Sequence, residues 1–140
     1  MPFLLYLTDS GGQIGSFDPT SYADKLMIWR SVAQEVKRLR AYAVIHIAEM
    51  WIAEFDPEKP NLNPTDSPKR EEALALSAIS STGEHLSWFR KIYRSDDGVV
   101  LGGQNDTSEG VPLFFKPVIE VWQEMFGYAS IRPTPDEFAE

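Results

Sequence analysis

The two histidines are the first residues to test for chemistry, because histidine is the usual acid, base and metal ligand near neutral pH. His46 lies three residues before Glu49, and His85 begins a predicted strand. Neither histidine has a ligand spacing typical of zinc, so the sequence predicts no metal site. If both side chains met Glu49 and Arg70 between a sheet and a loop, the four would form a small-molecule or catalytic site. That site is the alternative function that the sequence leaves open.

Motifs for covalent catalysis and phosphate binding are absent from the sequence. The chain has no cysteine, no G-x-S-x-G elbow and no S-x-x-K pair. The glycines from Gly11 to Gly15 lack the lysine and the hydroxyl of a phosphate-binding loop. We therefore predict no catalytic residue and no cofactor, which favours a protein without enzymatic activity and leaves that question open.

Arginines and tryptophans supply most of the candidate binding residues. From Trp88 to Arg94, cations are interleaved with aromatic side chains on a predicted strand, as in sheets that stack bases and hold phosphates. The formal net charge of −8 argues against nucleic acid as a general partner, because that binding depends on neutralising phosphates. Arg70, where a long loop enters a strand, is expected to pair with Glu49 on the neighbouring strand. The predicted binding residues are Glu49, Trp51, Arg70, Trp88, Arg90 and Arg94.

The composition is typical of a globular domain. The chain has 140 residues, of which 43% are hydrophobic, 13 are basic and 21 are acidic. This length supports one hydrophobic core, and we expect a single domain over residues 1–140. The apolar start of the chain is short and has no basic residues, so it resembles neither a signal peptide nor a membrane span. We expect a cytoplasmic protein that does not contact membranes.

Hydrophobic spacing predicts an α+β fold. Apolar residues at three- and four-residue intervals predict an N-terminal helix over about 22–40. Pro117 and Gly127 are expected to bound a C-terminal helix that packs on the sheet. Strand-like composition predicts an antiparallel β-meander of three to four strands, drawn from residues 42–55, 72–80, 85–94 and 99–101.

Three segments are predicted to lie outside these elements. Residues 1–17 are expected to form an N-terminal segment and loop, with the glycine- and serine-rich stretch 9–16 irregular. Residues 56–71 are a proline-rich surface loop, because proline removes a backbone donor and restricts the residue before it. Residues 129–140 are expected to be a flexible tail. The strand over 42–55 is apolar on both faces, which is typical of a strand that is central or covered on both sides.

Two short motifs flank the proline-rich loop. Glu49 to Trp51 is a Glu-x-Trp strand, and Asp66 to Ala73 reads Asp-x-Pro-x-Arg-x-Glu-Ala before the next strand. In these motifs and in the strand hairpin that follows them, the chain resembles a group of small uncharacterised bacterial proteins without a known function. The resemblance implies a bacterial or phage-related source and a small α+β domain, and it assigns no catalytic residue.

The sequence favours a non-enzymatic interaction or assembly module. Catalytic motifs are absent, while 12% of the residues are aromatic and the strands are apolar on both faces. That is more apolar surface than one small core easily covers, so we expect either self-association, as a homodimer, or a protein partner.

Overall fold

The computed structural model describes residues 3–16, 22–107 and 111–127, and for residues 16 and 22–26 it describes the backbone alone. Its strands are β1 (Phe3–Thr8), β2 (Gly11–Ser16), β3 (Ala43–Ile52), β4 (Glu71–Ser80), β5 (His85–Ser95), β6 (Gly98–Leu101) and β7 (Asn105–Asp106). Its helices are α1 (Tyr22–Leu39) and α2 (Lys116–Phe126), with short 3-10 helices at Pro64–Asp66 and Leu113–Phe115. The predicted tail, 129–140, lies outside the described residues.

All the described strands form one antiparallel sheet. The strand order is β2-β1-β3-β4-β5-β6, and β7 pairs with β5 beside β6. The chain enters as the β1–β2 hairpin, continues through α1, and then adds β3 along the free edge of β1. From β3 to β6 each strand pairs with the one before it, which is the predicted meander. The sheet therefore has seven strands rather than three to four.

The N-terminal hairpin corrects the expectation of a loop over the first residues. Gly11–Ser16 is a strand, because its backbone pairs along the whole length of β1. Gly12 is closely packed: a β-carbon there would lie 3.1 Å from the end of the Leu5 side chain, which would have to shift slightly to admit it. The hairpin also corrects the expectation that a helix opens the fold, because α1 follows two strands.

The predicted helices and the proline-rich segment agree with the structure in their positions. α1 ends at Leu39, next to the predicted end of the helix at about residue 40. Gly127 ends α2 with a left-handed φ of 73°, as expected of a C-terminal glycine. Between β3 and β4, residues 53–70 contain no strand and no α-helix, whereas Glu71, which the prediction included in the loop 56–71, is the first residue of β4.

Both helices pack together on one face of the sheet. The Trp122 indole is fully buried, and its Nε1 donates a hydrogen bond to the Ala41 carbonyl at 2.8 Å, which joins α2 to the chain entering β3. At the surface, Lys37 Nζ lies 3.0 Å from Glu124 Oε1 and links the two helices. The buried core consists of Leu4, Tyr6, Trp29, Val32, Ala33, Val36, Ala41, Val44, Ile79, Val111, Phe115, Val118, Ile119 and Trp122.

We predict that Trp122→Ala lowers the free energy of unfolding by about 3–5 kcal/mol, because it leaves a cavity between the helices and the sheet. Trp122→Phe keeps a ring but leaves the Ala41 carbonyl without its donor, so it costs about 1–3 kcal/mol. Urea unfolding at a fixed protein concentration measures both losses. Equal losses for the two variants would contradict this account of the core.

We also predict that stability falls in alkaline solution through Tyr6. Burial raises the pKa of this phenol to about 12, and the nearby Glu35 carboxylate adds to the shift. The folded state therefore keeps a proton that the unfolded state loses from about pH 10, so the contribution of Tyr6 to stability is constant below that pH and decreases as pH rises toward 12. Urea unfolding across this range measures the decrease, and Tyr6→Phe should flatten it. An unchanged slope in that variant would argue against Tyr6 as its source.

Candidate functional site

The register of the sheet divides its side chains between two faces. Residues that are paired directly across antiparallel strands point to the same face, and neighbours along a strand point to opposite faces. Val44 pairs with Ile79, and both belong to the core beneath the helices. Ile47, Leu76 and Trp88 are paired in a row across β3, β4 and β5, so they lie on the other face. We call this second face the open face.

The open face is apolar over most of its width. Among the described residues, neither α1 nor α2 packs on it, and its largest apolar side chains are partly or fully exposed. Phe3 is 50% exposed, Leu86 44% and Trp51 38%. Its apolar members are Phe3, Leu5, Leu7, Ile14, Ile45, Ile47, Trp51, Leu74, Leu76, Leu86, Trp88, Ile92, Val99 and Leu101. A monomeric protein rarely leaves an apolar surface of this extent in water.

Arg94 joins two acidic residues at one end of the open face. Its Nε donates a hydrogen bond to Glu72 Oε2 at 2.7 Å, and its Nη2 lies 3.9 Å from Glu49 Oε1. The hydrogen bond to Glu72, together with the charges of both carboxylates, raises the pKa of Arg94 above its ordinary value. The predicted pair between Glu49 and Arg70 was wrong, because Arg94 takes the position beside Glu49.

Arg70 fastens the proline-rich loop to the sheet. Its guanidinium lies 4.5 Å from the centre of the Trp51 ring, and its Nη1 donates a hydrogen bond to the Thr65 carbonyl at 2.6 Å. Thr65 belongs to the 3-10 helix Pro64–Asp66, which the Asn63 side chain caps. One cation thus holds the loop backbone against an aromatic ring, which is a structural role.

Arg90 lacks the ion pairs that its neighbour Arg94 forms. Its guanidinium lies 5.7 Å from the centre of the Trp88 ring, and within the described ranges no acid lies in salt-bridge contact with it. Its Nε is buried and has no hydrogen-bond partner in the described structure. A cation beside an apolar surface without an acidic partner is suited to meet an acid on another molecule.

The two histidines do not join Glu49 and Arg70. His46 lies on the helix side of the sheet, where its ring is 5.3 Å from that of Trp29 and 5.7 Å from that of Phe114. His85 is exposed at the start of β5, with Nδ1 at 3.4 Å from the Gly83 carbonyl oxygen. Since Glu49 and Arg70 lie on the open face, the four side chains proposed as a small-molecule site are not brought together.

The open face is therefore where the structure collects the predicted binding residues. Glu49, Trp51, Arg70, Trp88, Arg90 and Arg94 all lie on it or at its end. Sequence reasoning missed the contribution of Phe3, Leu5 and Ile14, which belong to the N-terminal hairpin. The alternation of Phe3, Leu5 and Leu7 is a strand signal, but the glycines that follow are typical of a loop and led to the prediction of a loop there.

Other features of the described chain do not suggest a competing site. A cavity of about 440 Å³ lies where the β1–β2 turn meets the end of α1, and it contains none of the predicted site residues. Within residues 3–16, 22–107 and 111–127, no group of three acidic or histidine side chains is placed to hold a metal ion. Neither described helix is long and apolar enough to span a membrane.

A protein-family model matches almost the whole chain. The family model described as bacteriophage lambda protein ea47 matches residues 3–134, which is nearly the whole chain. The chain belongs to this family, and the phage-related source implied by the sequence resemblance is supported. No curated protein sequence matches the chain, and no solved structure matches it.

We predict that Arg70→Ala loosens the proline-rich loop, because it removes both the contact with Trp51 and the hydrogen bond to Thr65. Hydrogen exchange measured by mass spectrometry should become faster in peptides from residues 56–69, with little change in β3 and β4. Lys69→Ala, at the adjacent position, is the matched control. Equal exchange in the wild type and Arg70→Ala would mean that Arg70 does not hold the loop.

Proposed function

We propose that this phage-related chain is a non-enzymatic protein-interaction module that binds another protein surface through its open face and acts in the cytoplasm of the bacterial host. The observation that carries the proposal is the one-sided position of the helices. They bury the side of the sheet that contains Val44 and Ile79, and they leave large apolar side chains exposed on the other side. Covering such a surface with a second protein surface removes apolar area from water, which favours association.

The charges on the open face also favour a protein partner over a nucleic acid. Glu49, Glu72 and Asp106 lie on this face with Arg70, Arg90 and Arg94, so acids and cations balance there. Arg94 is already paired with acids, and Arg70 is held by its own loop. Nucleic acid would instead require an excess of cations to neutralise phosphates. A mixed and balanced set is common where two protein surfaces meet.

The proposal predicts that Leu76→Arg abolishes partner binding. Leu76 lies in the middle of the apolar row between Ile47 and Trp88, so a charge there must be desolvated on association. The measurement is crosslinked affinity capture from a bacterial lysate, analysed by mass spectrometry, with the chain itself counted as a possible partner. Circular dichroism and thermal unfolding establish that the variant is folded.

The matched control is Met27→Arg, which places the same charge on an exposed apolar residue of α1. We expect wild type and Met27→Arg to recover the same proteins and Leu76→Arg to lose them. Capture that is identical for all three proteins would overturn the proposed function.

A further inference from the structure

Three rows of side chains cross the middle of the open face, each with one residue from β3, β4 and β5. The first row is Ile45, Ala78 and Leu86, and the second is Ile47, Leu76 and Trp88. The third is Glu49, Leu74 and Arg90, with an acid on one side of β4 and a cation on the other. In every row the central residue is apolar, and in the third the flanking charges are opposite.

This pattern is self-complementary about a two-fold axis that runs parallel to β4. Such an axis places β4 of one copy over β4 of the other and exchanges β3 with β5. Leu74 and Leu76 then meet their own copies, and Trp88 packs on Ile47 of the second copy. Arg90 faces Glu49 of the second copy, and the symmetry forms this pair twice. The packed sheets of a sandwich lie about 10 Å apart, a distance that facing arginine and glutamate side chains span.

Arg90 gives this arrangement its electrostatic basis. Within the described residues, Arg90 has no acidic partner. Glu49 is paired loosely, because its Oε1 lies 3.9 Å from Nη2 of Arg94, whose Nε is 2.7 Å from Glu72 Oε2. Glu49 is exposed and so can accept a second cation. Opposite charges that meet within an apolar contact fix its register and suppress other arrangements.

The size and charge of the open face suit a second copy. Strand spacing and rise give the five strands centred on β4, which are β1, β3, β4, β5 and β6, a flat area of roughly 670 Å² per copy, against the 800 Å² that each partner contributes to a standard stable interface. The whole chain carries a formal net charge of −8, so two copies repel each other over most of their surfaces. On the open face the acids and arginines balance, which weakens this repulsion, and Glu72, which the axis places opposite its own copy, is paired with Arg94 at 2.7 Å.

We propose, as an inference that rests on the proposed function, that the partner bound by the open face is a second copy of this chain, packed face to face with Arg90 opposite Glu49 of the other copy. The product is a closed dimer in which four helices lie outside and two sheets lie inside. Because the dimer depends on Arg90 lying opposite Glu49, exchanging the charges of these two residues tests both the contact and the stoichiometry.

The test uses Glu49→Arg and Arg90→Glu, alone and mixed. Each single variant places like charges opposite each other twice, so sedimentation velocity should show dimerisation weakened at least tenfold relative to wild type. Mixing the two variants restores both pairs, and native mass spectrometry should then show the mixed dimer in preference to either homodimer. The chain that carries both substitutions should again dimerise with itself.

The controls reverse charges on the helix side of the protein. Lys37→Glu and Glu124→Arg change the net charge by the same amounts as the test variants, and the two residues form a pair 3.0 Å apart within one copy. Both controls should dimerise as wild type does, and mixing them should give no preference for mixed dimers. Circular dichroism and thermal unfolding establish that all the variants are folded.

The remaining outcomes separate this inference from the function on which it rests. A dimer that single reversals do not weaken, or that mixing does not restore, overturns the proposed contact. A wild-type monomer that captures a different protein in a Leu76-dependent way overturns the dimer and retains the interaction module. A wild-type monomer whose capture does not depend on Leu76 overturns both proposals. Binding of a single-stranded oligonucleotide by the monomer, lost in Arg90→Glu, overturns both in favour of nucleic acid.

Discussion

Antiparallel pairing directs alternate side chains of each strand to opposite faces, and this chain provides helices for one of those faces. On the covered side, Trp122 and Phe115 are fully buried among α1, α2 and the core residues of the sheet, and the indole of Trp122 also fixes the backbone that enters β3. The same strands carry Ile45, Ile47 and Leu76 on the opposite side, where no described helix lies. Covering one side of the sheet therefore leaves an apolar surface on the other.

The arginines near the open face differ because their immediate surroundings differ. Arg94 lies beside Glu72 and Glu49 and is satisfied within the chain. Arg70 precedes β4, and its side chain turns back over Trp51 to hold the loop. Arg90 is flanked by Leu74 across the strand and by the Trp88 ring, and neither neutralises its charge. Three arginines near one face thus differ in role: Arg94 forms ion pairs, Arg70 holds the proline-rich loop, and Arg90 has no acidic partner among the described residues.

Local patterns predicted the elements well and the pairings between distant residues less well. The apolar stripe of α1, the limits of α2 and the β4–β5 hairpin were confirmed, because periodicity, proline and glycine act within a few residues. The β1–β2 hairpin was missed because Gly12 and Gly15 are poor strand formers by propensity, and what makes this segment a strand is its backbone pairing with β1. β3 is central, as predicted, although the described helices cover only one of its faces. The partner of Glu49 depends on where β5 lies, which a single sequence does not specify.

A strand that is apolar on both faces carries little information about its own register. In a strand with one polar face, a slip of one residue exposes the core side and is strongly opposed, whereas in β4 it exchanges one apolar set for another. Other contacts must then oppose the slip. The turn between β4 and β5 does so through the hydrogen bonds from Ser80 N to the Glu84 carbonyl and from Gly83 N to the Ser80 carbonyl. At the far end of the hairpin, Glu71 pairs with Lys91 on one face and Glu72 with Arg94 on the other. These ion pairs contribute little to stability because they are exposed, and since Glu71 and Glu72 are adjacent, a slip by one residue would bring the other acid to the same cations. The turn is therefore what holds β4 in register with β5.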